Sequence, residues 1–415
     1  MVDQTIHKSI VAHRQQVSDW FREKKKGLAI PFYASFDIRD SGYKVAPVDA
    51  NIFPAGFNNI CQIDKDSSVE HAKQYFHDHY PSCGKRLLLL AEEHTKNPFY
   101  WENIRALRNL LTEAGFTVFM SWPKDFENAV EVESISGHNL TISPHEIRDG
   151  ILFVEGEPID LVINNNDFSV PYAEWVERVK TPINPPTALG WHRRRKDEFF
   201  DQYNLLAKEF AEIIDVDPWL LSVETQVFSD FDINSESSRE TLANRVDQMI
   251  VDLEVVYKKH DISQKPYVFV KNSAGTYGLA VIHTLSGDDV RNWTYKARKK
   301  MKAAKGGGGV DQLIIQEGIP TAVRADDQSA EPAIYTLGCR LAGGFLRSHS
   351  EKGPGESLNS PGAVYKRLCV SDLNINIEGH PMENVYGWVA KLGVLAIGYE
   401  AKKAGVFFRD YTMEL

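Results

Sequence analysis

An α/β fold, with α+β lobes beside a parallel sheet, is what this sequence predicts, and three observations predict it. Leu87-Leu88-Leu89-Leu90 is a short apolar run suited to a strand buried on both faces. Ile104, Leu107, Leu111 and Ala114 then recur at helical spacing, and Gly115 stops the pattern. Phe116-Thr117-Val118-Phe119-Met120 supplies a second strand. Strand, helix and strand in that order form a right-handed unit of a parallel sheet.

Other elements follow in chain order. Leu161-Val162-Ile163 is a further strand that runs into Asn164-Asn165-Asn166-Asp167. Open α/β sheets place ligands just past their strand ends, and a capped loop accounts for the same four residues equally well. The segment TPINPPTALGWHRRRKDEFF opens with prolines that hold the chain extended. It predicts a helix from His192 to about Ile214, broken by Asp215 to Pro218. Strands return at Tyr267-Val268-Phe269-Val270 and Leu313-Ile314-Ile315. Between them the basic helix of YKARKKMKAAKGGGG runs into Gly306 to Gly309, a surface loop rather than a phosphate cradle because no strand directly precedes it. Glu331 to Leu337 and Leu341 to Arg347 form two strand-like segments about a turn, and no internal repeat is evident.

The chain's 415 residues allow two or three packed domains. A hydrophobic share of 43% and a charged share of 25% are ordinary for a globular protein and exclude large-scale disorder. A net charge of -10 argues against a nucleic-acid partner, since phosphate backbones reward clustered positive charge. A local group of cations can still hold a small anion. Cys61, Cys83, Cys339 and Cys369 lie far apart with no CxxC pair, so neither a zinc site nor a disulfide framework is expected and reduced thiols are the default. Met1 to Gln15 is polar and lacks the apolar core of a secretory signal. No apolar run approaches the roughly 20 residues that span a bilayer. A cytoplasmic protein with small-molecule partners and no membrane or nucleic-acid partner is expected. Oligomeric state, a homo-oligomer included, is left open.

The residues that carry chemistry begin at VFVKNSAGTYGLAV, where a β-type run ends in Lys271, passes Gly275, Thr276 and Gly278, and returns to a β-type run. Such glycines let a loop close over a polyphosphate with backbone N–H groups as donors, and the lysine places a positive charge beside it. No Walker sequence is present, and a plain hairpin explains the motif taken alone. Leu313 to Ile319 ends an apolar strand in Gln316 and Glu317, where backbone could pair with an adenine edge. Arg347, at the end of its strand, suits charge on a transferring phosphoryl group or, more commonly, a carboxylate partner. Asn359 fits a site and a turn equally. Glu400, Asp410 and Glu414 are acids near expected strand ends and suit magnesium, which takes hard oxygen ligands. For Glu400 an ordinary surface acid is the competing reading.

Residues 31–60 are dense in charged, amide and aromatic side chains and read as a poor core and a structured loop. As a group, Ser35, Asp37, Arg39, Lys44, Asp49, Asn51, Asn58 and Asn59 offer the opposing charges an amino-acid zwitterion requires. Arg39 suits a carboxylate and Asp49 an ammonium.

The order of lysine-ended strand, small-residue loop, hinge strand, arginine-bearing strand and terminal acids resembles the ATP-grasp superfamily. TPINPPTALGWHRRRKDEFF is similar to the segment of glutathione synthetases in which an asparagine–proline step precedes a lysine. Together with DFSVPYAEWVERVKTPINPP and AGGFLRSHSEKGPGESLNSPG, the whole chain most resembles a bacterial family of glutamate–cysteine ligases built on that fold. The resemblance implies a Rossmann-like pre-ATP-grasp substrate domain over 1–185 and an ATP-grasp domain over 186–415. Within the latter it implies a lid over about 215–315 and a catalytic subdomain over about 316–415. Lys196 and Lys271 become the nucleotide lysines, Gly275, Thr276 and Gly278 the flap, and Gln316, Glu317 and Ile319 the hinge. Lys271 and Arg347 become catalytic. ATP and two magnesium ions are implied as cofactors, with Glu400, Asp410 and Glu414 as metal ligands. The superfamily's metal motif ends in an acid followed two positions later by asparagine, whereas Asp410 is followed by Thr412 and Glu414 by only Leu415. The implied reaction activates the γ-carboxylate of glutamate as an acyl phosphate, which the amine of cysteine attacks. A glutathione-synthetase-like ligase and a non-catalytic amino-acid-binding protein are the rival readings.

Overall fold

The computed structural model describes residues 2–60, 65–93, 95, 97–274, 280–301 and 312–406. Three sheets matter for the site. The first is parallel and four-stranded, in the order Ile183–Asn184, Leu161–Asn164, Arg86–Leu90, Thr117–Ser121. Leu87 and Leu89 face the main core, while Leu88 and Leu90 face a second cluster with Leu152, Phe168 and Trp175. Burial on both faces is why the leucine run has no polar alternation. The intervening helix, Pro98–Glu113, buries Ile104, Leu107 and Leu111 and ends at Gly115 with φ of +96°. The Asn164–Asp167 run is absorbed by the fold. Asn164 donates to the Pro185 carbonyl, Asn165 to Tyr33 and Pro54, and Asn166 to the Ala91 carbonyl. These amides brace the strand ends.

The second sheet is antiparallel and runs Val364–Leu368, Arg340–Ser348, Gln328–Leu337, Tyr33–Asp40, Val45–Asn51. Its last two strands come from the segment read above as a loop unfit for a core. That expectation is corrected: alternate residues Phe36 and Ile38 are fully buried, and the charged residues between them share the opposite face. The sheet also crosses the division expected at residue 185, because Tyr33 pairs with Leu337 and Asp37 with Ala333. The helix Val385–Lys403 covers the apolar face. A Cβ on Gly393 would come within 2.3 Å of the Phe36 ring, so glycine is what lets this helix lie so near the sheet.

The third sheet is antiparallel, in the order Thr225–Phe228, Leu313–Glu317, Val268–Asn272, Val281–Thr284. Glu236–Lys259 packs on one side through Leu242, Val246 and Met249, which meet Val268, Val270, Leu313 and Ile315. Strand alternation therefore turns Lys271 and Gln316 toward the other side, where the second sheet lies. The helix expected from His192 begins at Lys196 and runs to Ile213. Arg193 and Arg194 instead donate their backbone N–H groups to Gly190, closing a turn that brings the lysine to the first helical position.

Cys83 and Cys339 are free thiols, but Cys369 is disulfide-bonded, which corrects the expectation of reduced cysteines throughout. Among the described residues no helix is long and apolar enough to cross a membrane. Gly306 to Gly309 lie outside the described residues.

Candidate active site

The polar face of the second sheet gathers charge in register. Asp37 and Arg39 lie two apart on one strand, Asp49 stands opposite Asp37, and Glu331 stands opposite Arg347. Arg347 donates from Nη1 to Asp37 Oδ2 at 2.7 Å and to Glu331 Oε1 at 2.7 Å, and from Nη2 to Asp37 Oδ1 at 3.1 Å. Arg39 pairs through Nε with Glu331 Oε2 at 2.6 Å and donates to the carbonyls of Pro354 and Glu356. Arg39, Glu331, Arg347 and Asp37 thus form a chain of alternating sign. Burial opposes the charged form of Glu331, but the two guanidinium groups hold its carboxyl below the usual range. Burial raises Asp37, with Glu331 and Asp49 adding to the rise against the pull of Arg347.

Two lysines meet this face from the other side. Backbone N–H of Lys196 donates to the Ser273 carbonyl at 2.9 Å, and Asp197 takes hydrogen bonds from Ser273 and Gln312. The helix start is thereby stitched to the end of the strand that carries Lys271. Lys196 Nζ pairs with Asp49, while Lys271 Nζ donates to the Val48 carbonyl at 3.0 Å and to Gln316 Oε1 at 2.5 Å. Burial, and then the like charge of Lys196, push the Lys271 amine down to about 7. Burial favours the neutral form of Asp49 as well, yet Lys196, Lys271 and Arg194 hold its carboxyl below the ordinary value.

Asp37, Arg39, Asp49, Lys196, Lys271, Glu331 and Asn359 line one cleft between the sheets, which encloses about 60 Å³. A molecule of nucleotide size needs several times that space and would fit only if the two sheets parted. Ile319 closes one wall. Gln316 reaches the cleft through Lys271, but Glu317 turns away: its Oε2 pairs with the fully buried Lys44 at 2.5 Å. Gly318, beside it, lies so near Tyr267 that a Cβ would fall 2.1 Å from the ring. The Glu317-Gly318 step is therefore tightly packed.

Other expected residues fall elsewhere. Asn58 bonds to Asn59 on a short 3-10 turn, and Asn51 accepts from the Phe53 backbone at 2.9 Å. Glu400 is neither a strand end nor a surface acid. It lies inside the Val385–Lys403 helix, is 1% exposed, and gives both oxygens to Arg194 at 2.7 and 2.9 Å. Both of its oxygens are engaged by a guanidinium, so in this structure Glu400 is the buried partner of Arg194. Gly275, Thr276, Gly278, Asp410 and Glu414 lie outside the described residues. Glu331 and Arg194 are members of this network that the sequence reading does not single out. Glu331 has a legible signal, because an acid inside the apolar strand QSAEPAIYTL is costly unless paired. Arg194, the middle of three consecutive arginines, has none.

Residues 7–401 match the family described as GshA, glutamate-cysteine ligase. A crystal structure of a candidate gamma-glutamylcysteine synthetase from Methylobacillus flagellatus KT superposes with a TM-score of 0.82 at 31% identity, covering 96% of each chain. D-alanyl-alanine synthetase A of Vibrio cholerae gives 0.32 at 13% identity, over 65% of this chain and 68% of that one. A glutathione synthetase-like effector of Globodera pallida gives 0.39 at 11% identity, over 89% and 85%. No curated protein is significantly similar in sequence.

Proposed function

Because the chain belongs to the glutamate–cysteine ligase family, whose members are ATP-dependent amide-forming ligases of ATP-grasp type, we propose that the cleft between its two antiparallel sheets is where γ-glutamylcysteine is made. The observation that carries this reading is the convergence of Lys196 and Lys271 on adjacent residues Val48 and Asp49. Asp49 offsets only part of the repulsion between these amines, since Lys196 still lowers Lys271, and a triphosphate is a partner that would offset the rest. A carboxylate is inert toward amines because its oxygen is a poor leaving group. Transfer of the γ-phosphoryl group to a glutamate γ-carboxylate oxygen gives an acyl phosphate and ADP. The cysteine nitrogen then attacks the acyl carbon, the C–O bond breaks, phosphate leaves with the electron pair, and the ammonium gives up a proton. Lys196 and Lys271 bind and orient the phosphates, Arg347, held by Asp37 and Glu331 behind the cleft, adds positive charge, and closure of the sheets excludes water.

The family implies a divalent metal, which supplies charge neutralisation on the phosphates when bound. Asp49, whose pairing with Lys196 engages only Oδ1, is the cleft residue that would hold it. Asp37 stands opposite Asp49 but gives both oxygens to Arg347, and Asn51 lies off the cleft with its Oδ1 bonded to the Phe53 backbone. Carboxylate and amide oxygens are hard donors of the sort magnesium takes. Among the described residues no three acids, histidines or cysteines already surround one point. Phosphate oxygens would therefore complete the coordination, for two ions in this reading. Asn359 lines the cleft wall, which supports its reading as an amide for the amino-acid substrate.

ADP release with magnesium is expected to require glutamate plus cysteine; release with γ-glutamylcysteine plus glycine instead would reassign the substrate to a glutathione-synthetase-like reaction. A pH dependence follows from Lys271. Free, its amine loses its proton near pH 7, and a bound triphosphate raises that value again. ATP affinity is then expected to fall as pH rises through 7, with proton uptake on binding at pH 8. Calorimetry in two buffers of different ionisation enthalpy measures the uptake, which Lys271→Gln should remove. Proton-neutral binding in the unaltered protein would count against a phosphate contact by Lys271.

A further inference from the structure

A larger cavity, of about 990 Å³, lies away from the cleft and shares none of the charged residues assigned above. Its walls come from the helices Val2–Ala12, Arg14–Lys25 and Lys65–His79, the turn between strands Gln328–Leu337 and Arg340–Ser348, and the start of Val385–Lys403. One side is apolar, with Ile10, Phe21, Leu28, Leu337, Leu341 and Trp388. Trp388 packs on Phe21 with ring centroids 5.6 Å apart, and Lys391 Nζ sits 4.9 Å from its ring centre.

Charge in this cavity runs against the chain as a whole. Arg14, Arg22, Lys25, Arg340 and Lys391 line it against only Asp78 and Glu383, in a protein whose net charge is -10. Two of the cations are paired, Arg22 with Asp19 at 3.0 Å and Lys391 with Glu383 at 2.9 Å. Among the described residues Arg14, Lys25 and Arg340 have no ion-pair partner. Lys25, Arg340 and Lys391, from three different elements, all act on the thiol of Cys339 at the turn, so they converge on one region. Burial nonetheless pushes that thiol up to about 11, so it is no nucleophile there.

We propose that this cavity is a binding site, separate from the ligase cleft, for a small amphipathic anion whose carboxylate, phosphate or sulfonate head meets Lys25 and Arg340 while its apolar body lies on Phe21 and Trp388. The volume suits a single small molecule, and unpaired cations above an apolar wall select head and body together.

Anilinonaphthalene sulfonate, an aromatic anion, is the probe, titrated by equilibrium dialysis into the full chain with MgATP at saturation. One saturable site is expected to persist under MgATP. Lys25→Glu combined with Arg340→Glu is expected to weaken it at least about tenfold, and neutral phenylnaphthylamine to bind at least about tenfold more weakly than the anion. Both substituted residues are exposed, so an unchanged thermal midpoint is expected to show that the variant is folded. Complete displacement of the probe by MgATP, equal affinity in the folded variant, or equal affinity for the neutral analogue would each overturn the proposal.

Discussion

Replacing Lys271 with alanine is expected to lower turnover about 100- to 1000-fold, the usual cost of losing one preorganised donor to developing charge. The fold should survive. Lys271 is buried and its removal strips Gln316 Oε1 of its donor, a loss of about 1–3 kcal/mol. Gln316 retains its second hydrogen bond, from Nε2 to Thr225 at 3.0 Å, and its place in a strand paired on both sides. ADP release and urea unfolding, measured on the same preparation, separate the two effects. Turnover above a tenth of the original in a folded variant would remove Lys271 from the catalytic machinery and with it the main support for the proposed site.

The second large effect is on stability. Arg194 and Glu400 are 1% and 0% exposed at the side chain, and Arg194 also donates to the Ala50 carbonyl at 2.9 Å. Glu400→Ala leaves a guanidinium buried with half its partners gone, which costs about 3–5 kcal/mol. Urea unfolding is expected to show a loss of that size, while binding of Mn²⁺, in place of magnesium, per folded molecule stays unchanged by electron paramagnetic resonance. Asp49→Asn is expected to do the reverse, weakening Mn²⁺ binding in the presence of ATP with a smaller loss of stability, since Asp49 is half-buried. Should Glu400→Ala abolish Mn²⁺ binding in a still-folded protein, the assignment of the metal to the amino-terminal strands is wrong.

Local signals in the sequence reach the elements but not their assembly. The leucine run, the helical stripe to Ala114 and the strand carrying Lys271 are legible because burial and period are properties of a few consecutive residues. The strands at 33–51 are hidden because their exposed face is charged, so alternation reads as polarity until Phe36 and Ile38 are seen to share the other face. Long-range register is not written locally. Nothing near Asp49 announces Lys196, and nothing near Arg347 announces Asp37, so the sequence offers candidates for a site without telling which of them are already paired. Arg39 and Asp49 look free for an amino acid and are found tied to Glu331 and Lys196. Glu400 misleads in the opposite direction: the apolar run before it includes Gly393 and Gly398, which suggest strand or loop but serve close helix packing.

One consequence concerns biosynthesis. Asp37 and Arg347 are bonded across 310 positions of the chain. A ribosome delivers the first of these strands long before its partners exist, so through most of translation a nascent ribbon with an apolar face and an open edge has nothing to pair with. The parallel sheet can consolidate meanwhile, but the surface proposed to hold the triphosphate cannot form until nearly the whole polypeptide has emerged. Half-made copies would carry adhesive edges and no catalytic power, a state in which chaperone binding competes with aggregation.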